Sequence, residues 1–202
     1  MAMPIAFVLG NGKSRLQFKE ITRLQHVGFV VGCNAIHRDY PPPLSFPDVI
    51  VAVDDGMISE LKTTHIPVHK LWFPQPQHLN EPAQCNPHRP RTNAGVHAIR
   101  EVFWRMPYIH TVVALGFDFM IADAEQSVSN VYDGTANYGE DTRAHVRDNA
   151  NRARFLSYVM DNEAPPGCNL YLAYPEKQTL IPASSPRIKS ITFETLERNM
   201  IQ

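Results

Sequence analysis

Short runs of apolar, mostly β-branched residues recur along the chain, each closed by glycine or a short polar residue. They are Ile5-Ala6-Phe7-Val8-Leu9, Val27 to Gly32, Val49 to Val53, Thr111 to Leu115 and Leu170 to Ala173, with Val68 to Phe73 as a sixth candidate. Runs that are apolar at nearly every position, rather than at alternate ones, fit strands covered on both faces and therefore a parallel sheet. Between them lie segments with helical spacing: Met57 to Lys62, Ala94 to Met106, Arg143 to Met160 and Thr192 to Met200. The strongest is Arg143 to Met160, where Val146, Ala150, Ala153, Leu156, Tyr158 and Val159 draw an apolar stripe. Asp141 or Thr142 is placed to cap this helix, and Pro165-Pro166-Gly167 ends it.

Strands alternating with helices predict a wound α/β sheet. The expectation is one Rossmann-like nucleotide-binding domain over residues 1–202, with a mainly parallel sheet, flanking helices, a Pro/His-rich insertion at about 63–92 and a lid at about 121–142. The chain has 17 prolines, many between Pro41 and Pro90, where they fix loops rather than helices.

Bulk composition narrows the function classes. A net charge of -1 gives no electrostatic reason to expect nucleic acid as a partner. No apolar run approaches the roughly 18 residues of a membrane span. The three cysteines, Cys33, Cys85 and Cys168, suit a reducing compartment better than a disulfide framework, so a cytoplasmic location is expected.

In open α/β sheets ligands bind outside the carboxyl ends of the strands, so the residues just past each strand carry the candidate chemistry. The first strand ends in Gly10-Asn11-Gly12-Lys13-Ser14, the second in Cys33-Asn34, the third in Asp54-Asp55 and the fourth in Gly116-Phe117-Asp118. The glycine loop reads either as a tight strand-to-helix turn or as a cradle of backbone N–H groups for a phosphate. Asp54 reads either as a ribose or base contact or as the cap of the helix after it. His145 is placed to open the long helix, as a general base with a near-neutral pKa or as a plain surface residue. His65, His69, His78, Cys85 and His88 supply zinc-type donors, but their spacing matches no closed finger. The aromatics around Trp72-Phe73 and Trp104 either pack inside or offer a homo-oligomer interface.

Taken in order, the Gly10 loop, Cys33-Asn34, Arg91-Thr92-Asn93-Ala94-Gly95-Val96, Leu115-Gly116-Phe117-Asp118-Phe119, Tyr132-Asp133 and His145-Val146-Arg147-Asp148-Asn149 resemble the bacterial CMP-sialic-acid-dependent sialyltransferases. The likeness spans about Ile5 to Pro182. It implies an inverting glycosyltransferase that needs no metal and no cofactor beyond a nucleotide-sugar donor, acting on an acceptor hydroxyl of a glycan. The donor nucleotide would be held by Gly10, Asn11, Gly12, Ser14, Asn34, Asp54, Asn93, Gly95 and Asp118. Arg91 would lie near the reacting groups, Tyr132 would donate to the departing phosphate, and His145 would be the general base.

Three positions depart from the family pattern: Asp54 replaces an asparagine, Ala94 a serine and Met120 a second tyrosine, for which Tyr138 is a substitute within the lid. Two other readings compete. A pyrophosphokinase-like enzyme would hold magnesium with Asp54, Asp55 and Asp118. A non-catalytic nucleotide-binding module would keep the cleft without turnover.

Overall fold

The computed structural model describes residues 4–41, 44–75, 93–122, 130–139, 146–182 and 184–201. Seven strands form one sheet: β1 Ile5–Leu9, β2 Phe29–Cys33, β3 Val49–Val51, β4 Leu71–Trp72, β5 Thr111–Leu115, β6 Asn169–Tyr174 and β7 Ile188–Thr192. Every pairing is parallel. The order across the sheet is β4-β3-β2-β1-β5-β6-β7. This is a Rossmann-like α/β fold, wound outward in both directions from β1.

The apolar runs explain the layering. In β1, Ala6 and Val8 enter one core and Phe7 and Leu9 the other, all fully buried. Burying each large side chain contributes about 1.5–3 kcal/mol. The links that step from β1 to β4 lie on the Phe7 face. They include short 3₁₀ turns and helix α1, Asp55–Lys62, which buries Met57 and Leu61 there. The links that step the other way lie on the Ala6 face, with α2, Ala94–Arg105, and α3, Val146–Asn162. Right-handed crossovers place the connections on opposite faces when the winding direction reverses.

Two expectations need correction. The 63–92 segment is not wholly irregular, because β4 forms inside it at Leu71–Trp72, the shorter core of the sixth candidate run. The C-terminal helix predicted from Thr192 begins as α4, Phe193–Leu196, and continues as a π-helical turn over Glu197–Ile201. It comes directly after β7, which the apolar runs did not predict. Trp72 and Trp104 meet edge to face at 5.1 Å, and Trp104 remains half exposed. Among the described residues no helix is long and apolar enough to cross a membrane.

Candidate functional site

β1 and β5 are neighbours in the sheet, yet the chain leaves them in opposite directions. The crevice between their carboxyl ends is the topological switch point. The strand-end residues Asn11, Asn34, Asp54 and Asp118 all come to this edge.

The glycine loop does something other than hold an external anion. Gly10 N–H donates to the Leu115 carbonyl at 2.8 Å and Gly12 N–H to the Gly116 carbonyl at 3.0 Å. Ser14 donates its N–H to Asp118 Oδ2 at 3.1 Å and its hydroxyl to Asp118 Oδ1. A Cβ on Gly12 would stand 2.5 Å from the Asp118 carboxyl carbon, and Gly116 turns with φ +72 against Gly10. The glycines therefore let the β1 and β5 loops touch, and the carboxylate of Asp118 fills the cradle expected for a phosphate. This corrects the reading of Gly10, Gly12 and Ser14 as direct phosphate contacts. Their N–H groups already have acceptors.

Burial raises the Asp118 pKa from its ordinary 3.8, and the bonds from Ser14 only partly offset it. The folded chain thus binds that proton more tightly than the unfolded chain does. Its contribution to stability is greatest at low pH and is lost as pH climbs from about 4 through the folded value. Asp118→Asn keeps the shape, and its amide can donate to the Ser14 hydroxyl while its oxygen accepts the Ser14 N–H. It is expected to flatten this fall in urea-unfolding free energy. A slope equal to that of the parent would show that Asp118 is ionised alike in both states.

Beside this plug lies a polar cluster. Asn11 Nδ2 donates to the Tyr138 hydroxyl at 3.1 Å, and Asn34 Nδ2 donates to Asp54 Oδ2 at 3.3 Å. Asn34 adopts φ 48, a left-handed conformation that asparagine tolerates better than most residues. Asp54 occupies the N-cap position of α1, as one of its two readings expects, but its side chain makes no capping bond and accepts from Asn34 instead. One side of Asp54 meets solvent. The packing behind it raises its carboxyl pKa, while Asn34 and then Arg152 from α3 pull it back. Burial lifts the Tyr138 pKa well beyond its ordinary value, so the phenol keeps its proton.

The amide oxygens of Asn11 and Asn34 are buried and without a partner. So are both amide atoms of Asn149, which is 3% exposed in the first turn of α3. A buried polar atom left unpaired costs about 1–3 kcal/mol. Asn149 and Arg152 are three apart and share a helix face, and the Arg152 charge acts on Asp54.

Residues 130–139, the described part of the segment expected to be a lid, join the β1 loop. Val131 N–H donates to the Asn11 carbonyl at 2.8 Å. Tyr132 points away from the cluster. Its hydroxyl donates to Asp39 Oδ2 at 2.8 Å and accepts from Arg15 at 2.8 Å. Its proton is thus committed to Asp39, whereas the Tyr138 hydroxyl accepts from Asn11, is also reached by the Asn34 side chain and the Ala35 N–H, and donates no bond among the described residues.

Arg38 grips Glu60 of α1 with two bonds, at 2.8 and 2.6 Å, and reaches the lid at Thr135 Oγ1 and the Ala136 carbonyl. Asn137 Nδ2 also donates to Glu60, at 2.9 Å. Arg38 holds the Glu60 carboxyl below its usual range. Glu60→Ala is expected to cost about 1–2 kcal/mol, since charged hydrogen bonds are lost from a partly buried pair. It should also speed limited proteolysis within 130–139, and unchanged cleavage there would mean the clasp does not hold the lid.

Asn93 caps α2 by accepting from Val96 N–H at 3.1 Å, and Gly95 packs against the Phe117 ring. Both are structural contacts at the cleft edge. Arg91 and His145 lie outside the described residues, as do His78, Cys85 and His88. Among the described residues no three of His, Cys, Asp and Glu come together as a metal ligand set, so Asp54, Asp55 and Asp118 do not converge as the magnesium reading requires. The Cys33 and Cys168 thiols are free, with pKa pushed up by burial to about 12 and about 11. Such thiols are poor nucleophiles at neutral pH. Arg152, Arg15, the Arg38–Glu60 clasp and the place of Asn149 at the cluster were not anticipated. Isolated polar residues in polar stretches carry no periodic signal. No protein-family model, no curated protein and no solved structure matches the chain.

Proposed function

We propose that this protein is a glycosyltransferase that takes a sugar from a nucleotide-activated donor, CMP-linked by the resemblance of its motifs to sialyltransferases, and passes it to an acceptor hydroxyl. The observation that carries the reading is the cluster at the switch point. Unpartnered amide oxygens of Asn11 and Asn34 flank a protonated tyrosine hydroxyl whose hydrogen is uncommitted. Amide oxygens suit the N–H and O–H groups of a nucleoside. A neutral O–H donor suits the charge that grows on a departing phosphate.

Asp118 fills the glycine loop, so the donor phosphate sits beyond that loop, toward Tyr138 and the first turn of α3. His145 immediately precedes that turn in sequence. It removes the acceptor proton as the glycosidic bond forms, and the nucleotide monophosphate leaves with the bonding pair.

The test is a thermal-shift panel of CMP, UDP, GDP and ADP, with a nucleotide-release assay on His145→Ala as its second step. CMP is expected to stabilise the fold by about 2.7 kcal/mol at a hundredfold excess over Kd. His145→Ala should keep that stabilisation and lose about 10²–10⁴-fold in transfer. No stabilisation by any nucleotide would sink the proposal.

A further inference from the structure

On the Phe7 face of the sheet the structure holds a pocket of about 250 Å³, lined by residues between His37 and Lys70. Its floor is apolar. Phe46 and Ile50 are 5% and 2% exposed, and Ile66 joins them in the same core. Tyr40 leans edge-on against Phe46 at 4.6 Å. An apolar cavity of about 150 Å³ takes one benzene molecule. This pocket therefore has room for a ring with a short side chain.

The polar side of the wall carries one sign of charge. Lys70 donates to the Ser45 carbonyl and, at 3.0 Å, to the Pro47 carbonyl. An ammonium has three N–H donors, so one remains, together with the full positive charge. Among the described residues no carboxylate lines the pocket, and its other ionisable members are His37, His65 and Tyr40. Glu60, the nearby acid, is already held by Arg38 and by His37 Nε2 at 3.1 Å.

We propose that this pocket binds a small apolar carboxylate, with its hydrocarbon body on Phe46, Ile50 and Ile66 and its carboxylate on Lys70. This site is separate from the switch-point cleft and does not depend on the glycosyl-transfer reading. A cation above an apolar floor favours an anion with an apolar body. It disfavours a cation of the same shape through repulsion, and a neutral analogue for want of a charge to pair.

The probes are 3-phenylpropionate, 3-phenylpropanol and 3-phenylpropylamine, titrated calorimetrically into the full chain while the Ile50 and Ile66 methyl signals are monitored by NMR. The carboxylate is expected to saturate and to shift both methyls. The alcohol should bind about fivefold more weakly, the worth of one partly exposed charge pair, and the amine about fivefold more weakly again. Lys70→Met should bring the carboxylate down to the level of the alcohol. Because Lys70 also ties the 45–47 backbone, Ile66→Trp gives an independent arm by filling the cavity, and it should abolish saturation. Absence of saturation with the parent chain, equal affinity for acid and alcohol, or undiminished binding to Ile66→Trp would each overturn the proposal.

Discussion

Replacing Arg15 with methionine is expected to lower the unfolding free energy by about 3–5 kcal/mol, the usual cost of removing one partner from a buried ion pair. Arg15 is 2% exposed. Its Nε donates to the Gly10 carbonyl at 2.8 Å, and one terminal nitrogen donates to Asp39 at 2.6 Å and to Tyr132 at 2.8 Å. Burial opposes its charge, but Tyr132 and Asp39 more than restore it, so the guanidinium pKa rises. One side chain thus ties the β1 loop, the turn after β2 and the lid. Methionine fills much of the volume but leaves a buried carbonyl and a tyrosine hydroxyl each short of a partner. Asp39 is partly exposed and can rehydrate, which places the expected loss toward the lower end. Lysine should not rescue, because a single ammonium cannot reproduce the fork that reaches three acceptors. Domains of this size are stable by about 5–15 kcal/mol, so the effect is large on that scale. Urea denaturation with an unchanged m-value would measure it, and a loss below about 1 kcal/mol would show that the network is redundant.

Most of the fold was legible because the sheet is buried on both faces. Central strands of a parallel sheet must be apolar throughout, and β1 and β5 fall within the bounds read from their runs. β7 was illegible for the opposite reason. It is an edge strand reading Ile188-Lys189-Ser190-Ile191-Thr192, and only Ile188 is fully buried. β4 was blurred because only two residues of a longer apolar stretch pair with β3. The site was legible to the extent that topology decides it. Strand ends carry Asn11, Asn34, Asp54 and Asp118 wherever the loops go. The partner that each group takes was not legible. Asp118 meets Ser14 across 104 positions, and no local spacing announces that a carboxylate will fill the glycine loop. Arg15 sits in a polar stretch and reads as a surface residue until the lid folds over it.

The two lid tyrosines separate the resemblance from the geometry most sharply. The family resemblance gives Tyr132 the role of donor to the leaving phosphate, while the hydrogen bonds favour Tyr138. Both hydroxyls are buried and both stay protonated, their pKa values raised first by burial. Only their partners differ. The Tyr132 proton goes to Asp39, so Tyr132→Phe is expected to cost stability, about 1–2 kcal/mol for a buried hydrogen bond to a charged group, with little change in kcat. Tyr138 accepts from Asn11 and has its own hydrogen to give. Tyr138→Phe strands the part-buried Asn11 Nδ2 donor, so it should cost about 1 kcal/mol of stability, and it should lower kcat by about 10²–10³, the usual worth of one preorganised donor to a developing oxyanion. On the proposed transfer reaction the loss should appear in kcat more than in KM, because the bond would strengthen as the phosphate departs. The reverse pattern, with a rate collapse in Tyr132→Phe and none in Tyr138→Phe, would mean that the lid exchanges its tyrosines when the donor binds. The Tyr132–Asp39 bond would then belong to the empty site alone.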